Sequence, residues 1–145
     1  MINNIMKREI TTKNAPAAIG PYSQAVDFAG LIFCAGQIGT DNKFNTLKKG
    51  ITAQTNQVFK NIKAVLQAAG SGMDNVLKVE VYLKEMADFP VMNEIYKNQF
   101  KKPYPARATV QVARLPKDAL IEIACIAFRN LPDDKDEYLG CCGGC

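Results

Sequence analysis

Residues 119–128, ALIEIACIAF, are apolar apart from Glu122. A carboxylate so placed is costly to bury alone, so it must be ion-paired, neutral and hydrogen-bonded, or turned towards a watered pocket. The first two are structural roles, whereas the third lets a carboxylate hold water and move protons. Arg107, in YPARATV, is the matching candidate. A guanidinium fork suits a small carboxylate held in a bidentate grip; its structural alternative is an exposed charge at a strand end. If the strands carrying Arg107 and Glu122 pair as a hairpin, the start of one lies near the end of the other, which would bring the two groups together. The chain has no histidine, which removes Ser-His-Asp triads, Cys-His dyads and histidine zinc sites. Neither GxxxxGKS/T nor GxGxxG occurs, so no phosphate-cradling loop is visible. Catalysis is left to carboxylate, arginine, tyrosine, thiol, backbone or bound water.

The elements that must position these groups follow from apolar spacing, in the order β-β-β-α-β-α-β-β. Residues 7–11 form a first strand, and the loop NAPAAIGPYSQAV follows, broken by Pro16, Gly20 and Pro21. Residues 23–28 and 31–38 read as strands around a tight Ala29–Gly30 connection. Gly36 in the second of them permits a close approach that a side chain would block. Val58, Ile62, Val65, Leu66 and Ala69 recur every three or four residues, which predicts a helix over residues 51–69 ended by Gly70. Residues 76–83 alternate Val79, Val81 and Leu83 with Lys78, Glu80 and Tyr82, the period of a half-exposed strand. Asp88 is the expected cap of a second helix over residues 89–100. Its stripe of Met92, Ile95, Tyr96 and Phe100 belongs to a core, with Pro90 tolerated in the first turn.

Strands over residues 107–113 and 119–128 complete the chain. In the last one Leu120, Glu122, Ala124, Ile126 and Phe128 share a face, while Ile121, Ile123, Cys125 and Ala127 share the other. Both faces therefore need cover. Two helices cover one face of a sheet; in so short a chain the second implies a partner subunit.

At 145 residues, 48% hydrophobic and 22% charged, the chain supports one core: a domain over residues 1–128 and an acidic, cysteine-ended tail over 129–145, expected to be flexible. The net charge of +4 comes from scattered lysines without a basic stripe, so nucleic acid is not an expected partner. No leader-like or membrane-spanning run is present, and neither a membrane nor a secreted location is expected; a cytoplasmic one is. Cys34 and Cys125 sit in strand-like runs as reduced core residues. The terminal CCGGC raises soft-metal ligation or lipidation as alternatives to an incidental tail.

The segments NAPAAIGPYSQAV, AGQIG, NIKAVLQAAG, DFPVMNEIYKNQF, YPARATVQVARLPKD and IEIACIAF closely resemble, in order and spacing, the reactive-intermediate deaminase family RidA, also called YjgF-type. The resemblance runs from about residue 10 to residue 128. It implies an α+β subunit, ferredoxin-like or chorismate-mutase-like, whose mixed β-sheet carries two helices on one face. It further implies a homotrimer with sites in the clefts between subunits. The implied reaction is hydrolysis of small 2-imino acids, 2-iminobutanoate and 2-iminopropanoate, to 2-oxo acids and ammonia, without metal or organic cofactor. Such enamine/imine compounds are products of pyridoxal-phosphate-dependent dehydratases. The resemblance gives Arg107 the substrate carboxylate, Glu122 the positioning or activation of water, and Tyr22 of the GPY segment the closing of the pocket. It places Asn93, Thr109 and the backbone of Ala35 and Gly36 beside the substrate.

Two residues depart from that family's pattern. Ala35 stands where many members have serine, so a hydroxyl contact is missing while the amides at 35 and 36 are expected to remain. Ala124 stands where many have a second glutamate, which removes from the Glu122 face a like charge that would raise its pKa. Two other functions compete: an RNA-cleaving translation inhibitor, and a module that binds 2-oxo acids without turnover. The first lacks a histidine pair and an aromatic platform for single strands.

Overall fold

The computed structural model describes residues 6–130; the cysteine-ended tail beyond them lies outside the described residues. The elements are β1 (Arg8–Ile10), β2 (Ala25–Phe28), β3 (Leu31–Ile38), α1 (Ile51–Ala68), β4 (Val76–Leu83), α2 (Phe89–Lys97), β5 (Ala106–Gln111) and β6 (Ile121–Phe128). Their order is the one that the apolar spacing predicts. The strands form one six-stranded sheet, β1-β2-β3-β6-β4-β5. All neighbours are antiparallel except β4 and β5.

Local chemistry explains most boundaries. Ala29 and Gly30 both take positive φ, 53° and 85°, the backbone that a two-residue hairpin needs between β2 and β3. Helix α1 ends because Gly70 takes φ 73°. The amide of Ser71 then donates to the Leu66 carbonyl at 2.9 Å and that of Gly70 to Gln67 at 3.1 Å, closing two otherwise orphaned carbonyls. Asp88 does not cap α2 with its side chain. The tight turn Met86–Asp88 runs straight into the helix and leaves Asp88 in helical φ/ψ, not the extended conformation of a capping residue. Helix α2 stops at Lys97, short of the expected residue 100, where the Gln99 amide donates to Tyr96 at 2.9 Å in a tighter turn.

Helix α1 packs on β3 and β6 and against α2. Between helices and sheet lie Ile32, Ile62, Leu66, Leu83, Met92, Ile121 and Ile123, all essentially inaccessible. Each such side chain contributes about 1.5–3 kcal/mol on burial, which an isolated helix of this length could not supply from propensity. On the opposite face of the sheet no helix packs among the described residues, and Phe28, Leu31, Phe33, Val110 and Phe128 stay 40–47% exposed. Among the described residues the helices thus cover one face of the sheet, and the other is largely open, its apolar side chains lying beside Lys78, Glu80, Tyr82 and Glu122.

Buried Asp27 ties the strand ends. Its carboxylate accepts from Arg8 at 2.8 Å, lies 3.1 Å from the Arg129 guanidinium and accepts from the Gly30 amide at 3.1 Å. Both arginines keep access to water, which screens the pairs. Asp27→Ala is therefore expected to cost about 1–3 kcal/mol in urea unfolding, chiefly through the lost turn acceptor and the buried ends of the pairs.

The expected hairpin of β5 and β6 does not form. Strand β6 inserts between β3 and β4, and β5 pairs in parallel with β4 at the sheet edge. Because Arg107 pairs with Val79 and Glu122 with Tyr82, Arg107 falls on the helix-covered face and Glu122 on the open one.

Candidate functional site

Two clefts result. The first, of about 310 Å³, has Glu122 at its floor beside Gly36, Gln37, Ile38 and Thr40, with Tyr22 among its walls and Lys117 at its rim. Its walls are loops, and three polar side chains hold them. Gln24 is buried and stitches the 12–16 segment: its Oε1 accepts from the Thr12 amide at 2.6 Å, and its Nε2 donates to the carbonyls of Thr12 and Pro16 at 3.1 and 2.7 Å. Asn61 of α1 donates to the carbonyls of Ile38 and Thr40 at 3.2 and 2.9 Å. Gln54 donates to the Lys48 carbonyl and accepts from the Leu120 amide, both at 2.8 Å. Lys117, at φ 56°, donates to the Asn45 carbonyl at 3.1 Å and side chain at 2.9 Å, joining the two loops at the rim.

Glu122 is half-buried, and among the described residues its carboxylate has neither a cation nor a hydrogen-bond donor; burial alone raises its pKa. Of the three states open to it from sequence, the one found is a carboxylate facing a cleft. Gly36 makes this possible: a Cβ there would run into Glu122 Oε1 and meet its carboxyl carbon at 2.8 Å. The carboxyl group lies directly over the glycine backbone, at an irregularity in β3 where the register with β6 shifts between Cys34 and Gln37. Ala35 differs from expectation, since its amide is already spent on the Gln24 carbonyl at 3.0 Å.

In Gly36→Ala the obstacle is the free end of Glu122, which can swing aside, so the fold should survive while the carboxyl leaves its place. In Gly39→Ala the new methyl meets the Gln54 backbone at 2.6 Å, so the fold itself must shift. Melting curves should separate them: little change for the first, and a clear fall, of about 1–3 kcal/mol, for the second.

The second cleft, of about 430 Å³, lies across the sheet between α2 and β5, lined by Asn93, Tyr96, Lys97, Tyr104, Pro105 and Arg107. Arg107 Nη1 donates to Asn93 Oδ1 at 2.8 Å. The guanidinium carbon stands 4.4 Å from the Tyr96 ring centroid and 5.4 Å from that of Phe89. Tyr96 is buried, and burial raises its phenol pKa against the opposing pull of Arg107. Thr109 shares the helix-side face of β5 with Arg107, its buried hydroxyl without a partner among the described residues.

Of the residues singled out from sequence, Tyr22, Gly36 and Glu122 thus meet in one cleft, and Arg107 and Asn93 in the other. The organising residues Gln24, Gln54 and Asn61 were not singled out. The signal for two of them was a polar line, Gln54 and Asn61, beside the apolar face of α1. Among the described residues no helix is long and apolar enough to cross a membrane.

The family model described as endoribonuclease L-PSP matches residues 12–129. A RutC family protein of Pyrococcus horikoshii is 54% identical over 126 residues, spanning 86% of this chain and 100% of that protein. A protein of Salmonella typhimurium named 2-iminobutanoate/2-iminopropanoate deaminase is 42% identical over 128 residues, with 86% and 100% spanned. The crystal structure of RidA from the Antarctic bacterium Psychrobacter sp. superposes with a TM-score of 0.82 at 45% identity, covering 83% of this chain and 98% of that one.

Proposed function

The chain belongs to the RidA/YjgF family, that of the endoribonuclease L-PSP model, and from this premise we propose that it is a 2-iminobutanoate/2-iminopropanoate deaminase working as a homotrimer. The observation that carries the reading is the unpaired Glu122 carboxylate at the floor of a cleft. It is joined by an arginine across the sheet whose Nε and Nη2 have no acceptor among the described residues. A small 2-imino acid has a carboxylate for the arginine and an electrophilic C2 for water. One chain cannot present both groups to one substrate, because the sheet separates them. A second copy seated on the open apolar face can, by setting its Arg107 against the first copy's Glu122 cleft.

In that arrangement Arg107 fixes the carboxylate, and Glu122 orients a water towards C2. Water adds to the protonated imine, Glu122 takes one proton from the added oxygen and passes it to nitrogen, and as the C–N bond breaks the carboxylate takes the remaining hydroxyl proton, which leaves with the ammonia as ammonium. The products are a 2-oxo acid and ammonia. Tyr22 lines the mouth of the cleft, and Gly36 leaves room for the carboxyl group. Ala35 lends no hydroxyl and no free amide. Thr109 and Asn93 act from Arg107's side. The residues used call for no metal or organic cofactor. The RNA-cleaving alternative lacks the histidine pair for general acid/base cleavage, since the chain has no histidine.

Sedimentation and an imine-diversion assay test the proposal together. A dehydratase generates 2-iminobutanoate in place, semicarbazide traps what survives, and the protein should divert it to 2-oxobutanoate. A well-folded trimer that diverts none overturns the activity; a stable monomer at micromolar concentration that does divert it overturns the shared site.

A further inference from the structure

Resting on the reading that Arg107 holds the substrate carboxylate, we propose that one face of α2, formed by Phe89, Asn93 and Tyr96, is a bracket that orients that arginine, with Tyr96 as the principal positioning residue. The three residues are spaced i, i+4 and i+7, so they rise along one side of the helix. Asn93 Oδ1 takes a single guanidinium N–H at 2.8 Å, and the rings of Tyr96 and Phe89 stand 4.4 and 5.4 Å from the guanidinium carbon. A hydrogen bond fixes rotation in the guanidinium plane, while an aromatic face resists tilting out of it. What remains, Nε and Nη2, is the edge that suits a bidentate carboxylate.

Tyr96 is itself packed into the core. It packs against Phe59 and Phe100 at centroid distances of 5.9 and 4.8 Å, so the bracket is an extension of the core. Its hydroxyl is buried without a hydrogen-bond partner among the described residues. The ring, not the hydroxyl, therefore does the positioning. This reassigns Asn93 as well: its carbonyl oxygen is occupied by Arg107, so it acts on substrate through the arginine. A side chain that serves only packing would be replaceable by any apolar group of similar volume; one that orients a cation needs a π face.

Tyr96→Leu, Tyr96→Phe, Asn93→Ala and the wild-type trimer decide it. In Tyr96→Leu the KM for 2-iminobutanoate and the Kd for 2-oxobutanoate should rise on the order of tenfold, with a smaller fall in kcat; Tyr96→Phe should recover most of that loss. Asn93→Ala should shift KM in the same direction. A second readout does not depend on turnover: rotation of the Arg107 guanidinium followed by nitrogen NMR, its signal identified by its disappearance in Arg107→Lys. Rotation should be slow in wild type and Tyr96→Phe and fast in Tyr96→Leu. If Tyr96→Leu lowers the melting temperature with KM and guanidinium rotation unchanged, the bracket is only core packing and the proposal is wrong. If wild type neither hydrolyses imine nor binds 2-oxobutanoate, the deaminase reading fails, and the NMR comparison still decides whether α2 restrains Arg107.

Discussion

Arg107→Ala should lose both 2-oxobutanoate binding and imine turnover, by ~2–5 kcal/mol or roughly 30- to 4,000-fold, as expected for removing one partner of a desolvated, hydrogen-bonded charge pair. The fold should hardly notice, because Arg107 lies exposed on an edge strand, held by one hydrogen bond to Asn93 and by ring contacts. Arg107→Lys should rescue little. An ammonium keeps the charge but presents no planar fork to a carboxylate and no flat cation to the Tyr96 ring. Titration calorimetry with 2-oxobutanoate, beside the diversion assay, checks both halves. Wild-type affinity in folded Arg107→Ala protein would remove the arginine from substrate binding.

How such a pair could be read from sequence, and how its geometry escaped, is clear from the residues themselves. The alternation in β4 holds from Lys78 to Leu83, where Val79, Val81 and Leu83 are the buried side chains; at its start a register shift with β6 between Val76 and Lys78 leaves Val76 buried and Leu77 exposed. Gly70 ends α1 for a reason confined to a few residues. The same local logic identifies Glu122, since a carboxylate in an apolar run contradicts its neighbours. It does not say which strand lies beside which. Pairing β5 with β6 is natural for consecutive strands, yet β4 takes both as neighbours, and the parity of the β4–β5 register turns Arg107 to the helices. Gln24, Gln54 and Asn61 were hidden for a related reason: a polar residue in a loop or on a helix looks solvated until the backbone groups it bonds in other segments are known. The doubly apolar β6, by contrast, was legible, and the uncovered face bearing Phe33 and Phe128 is its structural counterpart.

Glu122→Gln should leave 2-oxobutanoate affinity nearly intact while turnover falls by roughly 100-fold or more, because the amide fills the same space but takes no proton from water. Its stability should move the other way from that of a structural ion pair. Burial raises the carboxyl pKa from the ordinary 4.5, so the native state holds this proton at pH values where the unfolded chain has released it. The associated stability is complete below 4.5 and is lost as pH rises through the raised value. At neutral pH the charged carboxylate is thus a burden on the fold that glutamine lifts. The variant should melt above wild type at pH 7, with the difference shrinking as the pH falls through the raised value towards 4.5 and absent below it. A lower melting temperature at pH 7 would mean that Glu122 neutralises a buried cation, and full turnover would remove it from the chemistry. The two inactive variants also report on each other. Unfolded together and refolded at equal concentration, Arg107→Ala and Glu122→Gln chains should regain about a quarter of wild-type activity, because each mixed trimer contains one interface with both groups intact. A site confined to one chain regains nothing on mixing.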